Sequence, residues 1–436
     1  MDPIAIVAIV TAATVVLILL GVYVALALGA MSFVGVWWIS GNPNVAINLL
    51  ATTFSNALQN YEFGVIPLFV LMGALFGHGL SRELFEAANV FLRRVRGGLA
   101  MSTVVGNAVF AAVTGSSMAS AAAFSRIAFK PMIDMGYAPR FAAGCIAGSS
   151  ILGMLIPPSI LFIIYGILTQ VSIGKLFIAG IVPGLVLTVI FCIGIALMVA
   201  MWPQLIEGPI AGHSGTAISS FLTFIRPWPV AVLIVVVLGG IYGGLFTPNE
   251  AASVGAAGAL LIVVVKRQLT WVGLHACIMD VGLTTGSIML LLIMAQMYSR
   301  MVAMSGIIQG LELQLSQMAL PGMGVLTIVL LIVLVMGCIV DSASILLLVV
   351  PIAFPILTKF GYDPIWLGVI IVVATEMGLV TPPFGLSVFT VKAALGDAIS
   401  LPEIFAGSLP FVVMMGLGLL LFVVFPGLST WLVGFM

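Results

Sequence analysis

A stretch of about forty residues occurs twice in this sequence, the second copy 225 positions after the first and without a gap. The first copy runs from Thr114-Gly115-Ser116-Ser117 through Gly136-Tyr137-Ala138-Pro139 to Gly153-Met154-Leu155-Ile156-Pro157-Pro158. In the second, Ser117 becomes Ser342, Ile127-Ala128-Phe129 becomes Ile352-Ala353-Phe354, and Gly136-Tyr137 becomes Gly361-Tyr362. Pro139 becomes Pro364, Gly153 becomes Gly378, and Pro157-Pro158 becomes Pro382-Pro383. A looser echo, Ala179-Gly180-Ile181-Val182-Pro183 with Ala406-Gly407-Ser408-Leu409-Pro410, needs a two-residue insertion. A register this long exceeds what chance supplies, so the fold must hold two copies of one structural unit.

The medium is lipid. Residues are 62% apolar and 6% charged, with a mean hydropathy of +1.33, where a soluble protein carries about 25% charge. Several apolar runs exceed the length that spans a bilayer. Net charge is zero, so no basic surface points to nucleic acid. The four cysteines, Cys145, Cys192, Cys277 and Cys338, sit singly in apolar runs. They make no metal spacing or disulfide framework and read as small buried side chains. No basic segment precedes the first apolar stretch, so it does not read as a cleaved signal peptide.

Pro3 to Ser40 carries no charge. As one helix it would be about 55 Å long, too long for one crossing, so two spans with a turn near Gly21 are expected. Gly41 to Tyr61, rich in asparagine, reads as an interfacial helix, and Phe63 to Leu80 as the next span. The basic segment with Arg82, Arg93, Arg94 and Arg96 reads as a cytoplasmic anchor, which places the N-terminus outside. Leu99 to Val113 is too short to cross and breaks at Thr114-Gly115-Ser116-Ser117. The following arm ends in Arg126, Lys130 and Pro131. Basic residues at both ends of the pair predict a re-entrant hairpin, residues 97–137, entering and leaving on the cytoplasmic side. Non-helical backbone at membrane depth must be buried in protein or face a watery cavity. The span 141–170 that follows carries Pro157-Pro158, which removes amide donors and unwinds a helix.

Leu176 to Met201 spans back. A polar linker with Glu207, Gly208, Pro209, His213 and Arg226 leads to a span from Pro229 to Leu245. Thr247 and Glu250 have capping-box spacing at the next helix start, and Lys266 and Arg267 end that helix. Thr270 to Arg300 crosses again. A second hairpin, 323–360, has its tip at Val340-Asp341-Ser342-Ala343. There Arg126, Lys130 and Arg140 are replaced by Pro351, Pro355 and Ile365. That loss of positive charge predicts the opposite opening and therefore inverted repeats. A second broken span, 364–391, and a last span from Glu403 to Trp431 complete an all-α polytopic membrane protein of about ten spans plus two hairpins. Its divisions are 1–62 (scaffold and interfacial helix), 63–201 (first repeat), 202–269 (linker and connecting scaffold spans) and 270–436 (second repeat).

Half-helix ends bring unpaired amides and carbonyls to mid-membrane. Carbonyls and hydroxyls there suit Na⁺, and amide ends suit an anionic substrate. One expected sodium site joins Ser117 and its tip to carbonyls between Gly153 and Pro157. The other joins Asp341 and Ser342 to the break formed by Thr375, Gly378 and Thr381. Thr114, Ser116, Ser149, Ser150, Ser159 and Thr381 are the candidate substrate contacts. Asp341 has a second reading as a helix cap. Glu376 can be protonated, paired or ligating, and an acid inside a span is a functional candidate by default. Asp280, His78 and His275 read as interfacial or packing groups.

The run Ile156-Pro157-Pro158-Ser159, Tyr165-Gly166 and Ser172-Ile173-Gly174-Lys175-Leu176-Phe177-Ile178-Ala179-Gly180-Ile181-Val182-Pro183-Gly184 resembles the large membrane subunit of tripartite ATP-independent periplasmic (TRAP) transporters. So do Phe246-Thr247-Pro248 with Glu250-Ala251-Ala252, and Thr381-Pro382-Pro383. The likeness covers essentially the whole chain, with Asn249 standing where Thr or Ser is usual. It implies a sodium-coupled importer of organic acids, such as C4-dicarboxylates or sialic acid, working by an elevator movement. It also implies a small membrane subunit of about four spans, a periplasmic solute-binding protein, and the cytoplasmic membrane of a bacterium or archaeon. The first span begins almost at the N-terminus, so the small subunit is expected as a separate chain. Sodium is the coupling ion that the resemblance implies, and no cofactor is expected. An enzyme is disfavoured because HExxH, GxSxG and CxxC are absent, and an ATP-driven pump because GxxxxGK[ST] is absent. The remaining alternative is a self-sufficient sodium/dicarboxylate elevator carrier without a binding protein.

Overall fold

The computed structural model describes residues 3–77, 80–92, 95–207, 223, 225–267, 270–318 and 320–436. His78, Arg93, Arg94, Gly208, Pro209 and His213 lie outside the described residues. Among the described residues every regular element is helical. Helices α1 (Pro3–Leu19) and α2 (Val24–Ser40) are joined by the expected turn near Gly21, which lies in the left-handed region at φ +87°. Helix α3 (Pro43–Gln59) starts where the Asn42 side chain accepts the Asn44 amide at 2.9 Å. It lies at 61° to the stretch Tyr61–Phe76, which contains most of α4 (Val65–Gly77).

Most of the segment read as a cytoplasmic anchor forms an amphipathic helix, α5 (Leu80–Leu92). Leu84, Phe85 and Ala87 are buried on one face, and Arg82 pairs with Glu86 one turn on at 2.9 Å. Glu83, on the buried side, is held by Lys266 at 2.5 Å and Arg226 at 3.5 Å. A carboxylate buried to this degree needs such partners, and they tie α5 to the end of a distant helix.

The first hairpin follows. Its arms are α6 (Gly98–Thr114) and α7 (Ser117–Asp134). The broken span consists of α8 (Pro139–Ser150), the short α9 (Leu152–Leu155), non-helical residues 156–159, and α10 (Ile160–Thr169), bent by 40°. The Pro157-Pro158 bond is cis. Helix α11 (Ile173–Met201) crosses back. Helix α12 (Trp228–Tyr242) leads to α13 (Pro248–Val265), whose start is the expected capping box. Thr247 and Glu250 exchange side-chain and backbone hydrogen bonds there. Helix α14 (Trp271–Ser305) is 35 residues long. After it comes a helix with no counterpart in the sequence reading, α15 (Ile307–Gln317).

The second hairpin is α16 (Gly322–Gly337) and α17 (Ser342–Lys359). Its broken span is α18 (Pro364–Gly378), non-helical residues 379–385 with a cis Pro382-Pro383 bond, and α19 (Leu386–Leu395). The last long helix, α20 (Leu401–Val424), stops before Pro426 rather than running to Trp431. The starts of α7 and α17, and of α8 and α18, lie at the same 225-residue offset as the sequence repeat. Among the described residues, five helices are long and apolar enough to cross a membrane, or up to seven elements if the two bent pairs count as spans. Shorter apolar helices, α1, α2, α12 and α18 among them, supply the rest.

Close backbone contact holds the repeats together. A Cβ on Gly144 of α8 would lie 2.1 Å from the Gly407 backbone of α20. Real atoms never approach so closely, so only glycine permits the contact. The Tyr165 hydroxyl of α10 donates to the Pro364 carbonyl at 2.8 Å, and its ring meets Phe354 of α17 edge-on. The second half of one broken span is thereby fixed to the other repeat.

Candidate functional site

Each hairpin tip leads into a second arm whose first turn is capped by a side chain. At the first tip Gly115 adopts φ +58°, and a Cβ there would lie 2.4 Å from the Pro158 carbonyl oxygen. Ser116 then caps α7, accepting the Ala119 amide at 3.3 Å. At the second tip Asp341 stands in the place of Ser116 and caps α17, accepting the Ser344 amide at 3.1 Å and its hydroxyl at 2.5 Å. The capping reading of Asp341 is therefore realised. Each tip also rests on its own broken span. A Cβ on Gly153 would lie 2.7 Å from the Ser116 carbonyl oxygen, and one on Gly378 2.4 Å from the Gly337 Cα. The unwound strand of the second repeat is tied back through the Phe384 amide, which donates to the Cys338 carbonyl at 3.1 Å.

The two tips meet at one carboxylate. Glu376, in α18, is 1% exposed. The Ser342 hydroxyl donates to its Oε1 at 2.8 Å, and the Ser117 hydroxyl donates to its Oε2. Ser117 and Ser342 are equivalent positions of the repeat, each the first residue of its helix, so the N-terminal ends of α7 and α17 both face this group. No Lys or Arg forms an ion pair with Glu376 among the described residues. Sequence reasoning weighed Glu376 without placing it, and expected the two serines in separate sites. The available signal was the asymmetry of the repeat, because the equivalent of Glu376 is Ile151.

The other expected residues divide. Thr114 and Ser116 line a cavity of about 420 Å³ bounded by hairpin 1, α4 and α14. Ser149, Ser150, Ser159 and Thr381 are not among its lining residues. Ser149 is wholly buried, donating to the Cys145 carbonyl and accepting from Asn107 at 2.7 Å. Ser150 donates to the Ala147 carbonyl at 2.8 Å, and Ser159 caps α10 while donating to the Met154 carbonyl. In the second break Thr375 donates to the Ile371 carbonyl and Thr381 to the Met377 carbonyl, both at 2.8 Å. A hydroxyl that donates in this way keeps lone pairs to offer a cation. Pro157, Gly153 and Gly378 lie in or against the breaks, where ladder hydrogen bonds end. The donors gathered around the tips are hydroxyls, carbonyls and one carboxylate, the hard oxygen set that suits an alkali cation.

The family model described as "Tripartite ATP-independent periplasmic transporter, DctM component" matches residues 11–428. The chain is 34% identical to the C4-dicarboxylate TRAP transporter large permease protein DctM of Pseudomonas aeruginosa, over 88% of this chain and 89% of that one. It is 30% identical to the ectoine TRAP transporter large permease protein TeaC of Halomonas elongata, covering 95% and 96%. With the sialic acid TRAP transporter large permease protein SiaM of Vibrio cholerae the identity is 29%, covering 91% and 92%. Among solved structures, the crystal structure of the Alcanivorax borkumensis YdaH transporter shares the fold, with a TM-score of 0.53 over 87% of this chain and 89% of that one, at 15% identity.

Proposed function

The chain belongs to the DctM component family of tripartite ATP-independent periplasmic transporters, and from that premise we propose that it is the sodium-coupled permease of an organic-acid importer. It is a multi-pass membrane protein and a secondary transporter, not an enzyme. The observation that carries the coupling is the bridge from both hairpin tips to Glu376. A buried carboxylate without a basic partner is expensive, and a bound Na⁺ offsets that cost directly. Ser117 and Ser342 are held at the carboxylate by their helix starts, so they are positioned to add neutral oxygen ligands. We assign one sodium to the first tip, with carbonyls between Gly153 and Pro157. A second lies at Ser342, beside the Asp341 cap, with the Thr375, Gly378 and Thr381 region. Glu376 is shared by both.

The helix N-termini at the tips favour the carboxylate of the substrate. Sodium thus assembles the tips, and the assembled tips present amides to the anion. Hairpins and broken spans move together as one elevator body past the remaining helices, in the cytoplasmic membrane. A small membrane subunit braces the scaffold, and a periplasmic binding protein delivers the solute. C4-dicarboxylates, sialic acid and ectoine, which the relatives' names specify, illustrate the kind of solute.

Proteoliposomes containing both membrane subunits and supplied with binding protein test the proposal. Uptake should cease when the Na⁺ gradient is collapsed and should not require ATP. Undiminished uptake on a proton gradient alone would overturn sodium coupling.

A further inference from the structure

The cavity beside hairpin 1 carries two charges that the sodium sites do not use. Arg126 of α7 and Asp280 of α14 both line it, with hydroxyls from Thr114, Ser116 and Thr284. Both charged residues are exposed, and neither has a hydrogen-bond or ion-pair partner among the described residues. The rest of the lining is apolar and mostly small. Along α7 the lining positions Ser116, Ala119, Ala123 and Arg126 follow helical spacing, so the groove runs roughly 15 Å from the tip to the turn that bears Arg126. Its walls therefore hold one unpaired cation and one unpaired anion, at a volume suited to a small solute.

We infer that this cavity takes a zwitterionic carboxylate, a solute bearing one carboxylate and one nitrogen cation, in preference to a dianion. The inference rests on the proposed function, in which hairpin 1 bounds the transport path, and it names the substrate class. Arg126 offers a planar fork that matches a carboxylate. Asp280 offers the complementary acceptor for an ammonium or amidinium group, and the hydroxyls orient what lies between. A dianion that reaches Arg126 leaves its second carboxylate facing Asp280, and like charges brought together discriminate strongly against a ligand. The division of labour is also spatial, because Arg126 belongs to the hairpin and Asp280 to the long helix beside it.

Matched pairs of equal chain length isolate the charge: 4-aminobutyrate against succinate, and 5-aminovalerate against glutarate. The purified chain with its small membrane subunit, in Na⁺ and without binding protein, is titrated with each while its thermal unfolding is followed. The amino acids should stabilise at concentrations about tenfold lower than the diacids. Asp280→Asn should erase that preference while leaving the response to Na⁺ intact, and Arg126→Gln should weaken the response to all four compounds. Diacids stabilising as well as amino acids, a preference unchanged in Asp280→Asn, or no shift with either amino acid would each overturn the inference. Sodium-driven uptake of an organic acid that persists beside any of those results leaves the proposed function standing. An amino-acid preference that is indifferent to Na⁺ would instead overturn the coupling and keep the charge assignment.

Discussion

The two hairpin tips share their helix starts and differ in charge and in the turn before them, where Gly115 at φ +58° has Val340 as its equivalent. Both turn into a capped helix whose first residue is a serine, and both press their turns on a glycine of the following broken span. Yet the first tip has Ser116 where the second has Asp341, and the first broken span has Ile151 where the second has Glu376. The first hairpin carries Arg126 into a cavity, where the second has Pro351. Duplication supplied the geometry twice, but the buried carboxylate appears once and serves both copies. The lesson is that equivalent tips need not make equivalent sites. One strong ligand where the copies converge makes each tip depend on the other.

The largest effect should come from removing the shared charge. Glu376→Gln retains the shape but loses the anion that receives two hydroxyls. Hydrogen bonds to a charged group contribute about 1.5–3 kcal/mol each, so sodium-driven uptake should fall about a hundredfold or more. Size-exclusion chromatography of the assembled membrane subunits separates this from misfolding. An assembled variant with wild-type sodium dependence would remove Glu376 from the coupling site.

Next in size is the contact each tip makes with its own break. Gly378→Ala and Gly153→Ala place a methyl group against backbone at 2.4 Å and 2.7 Å respectively. Overpacking of this kind costs about 1–3 kcal/mol, so thermal unfolding midpoints should drop in both variants. If only one falls, the mechanical equivalence of the tips fails.

Asp341→Asn should have the smallest effect. Asparagine caps a helix about as well as aspartate, so a pure cap loses only a few tenths of a kcal/mol. A tenfold rise in the sodium requirement would instead make Asp341 a direct ligand and sharpen the asymmetry of the second tip.

The repeat, both hairpins, both Pro-Pro breaks and the Thr247–Glu250 capping box were legible in the sequence, because each is a local pattern of spacing or lost amide donors. In the charged stretch around Arg82 the helix itself went unread. Its arginine pairs within the helix, while Leu84 and Phe85 give it a buried face. The convergence on Glu376 was not legible. Ser117 and Glu376 lie 259 residues apart, and no periodicity connects them. The orientation of the two hairpins across the membrane rests on their basic flanks. Single cysteines at Ala138 and Asp363, in a background lacking the four native thiols, should label from opposite sides, and labelling from one side would contradict the inversion.

The central claim, that one carboxylate couples both tips, is tested most directly by a double-mutant cycle on sodium binding. Ser117→Ala, Ser342→Ala and the double variant are compared with the wild type by sodium-dependent thermal stabilisation. Each single variant should raise the sodium requirement roughly tenfold. Because both hydroxyls act on Glu376, the double variant should depart from the sum of the singles by more than about 0.5 kcal/mol. Additivity within that margin would mean two independent sites and would contradict the account.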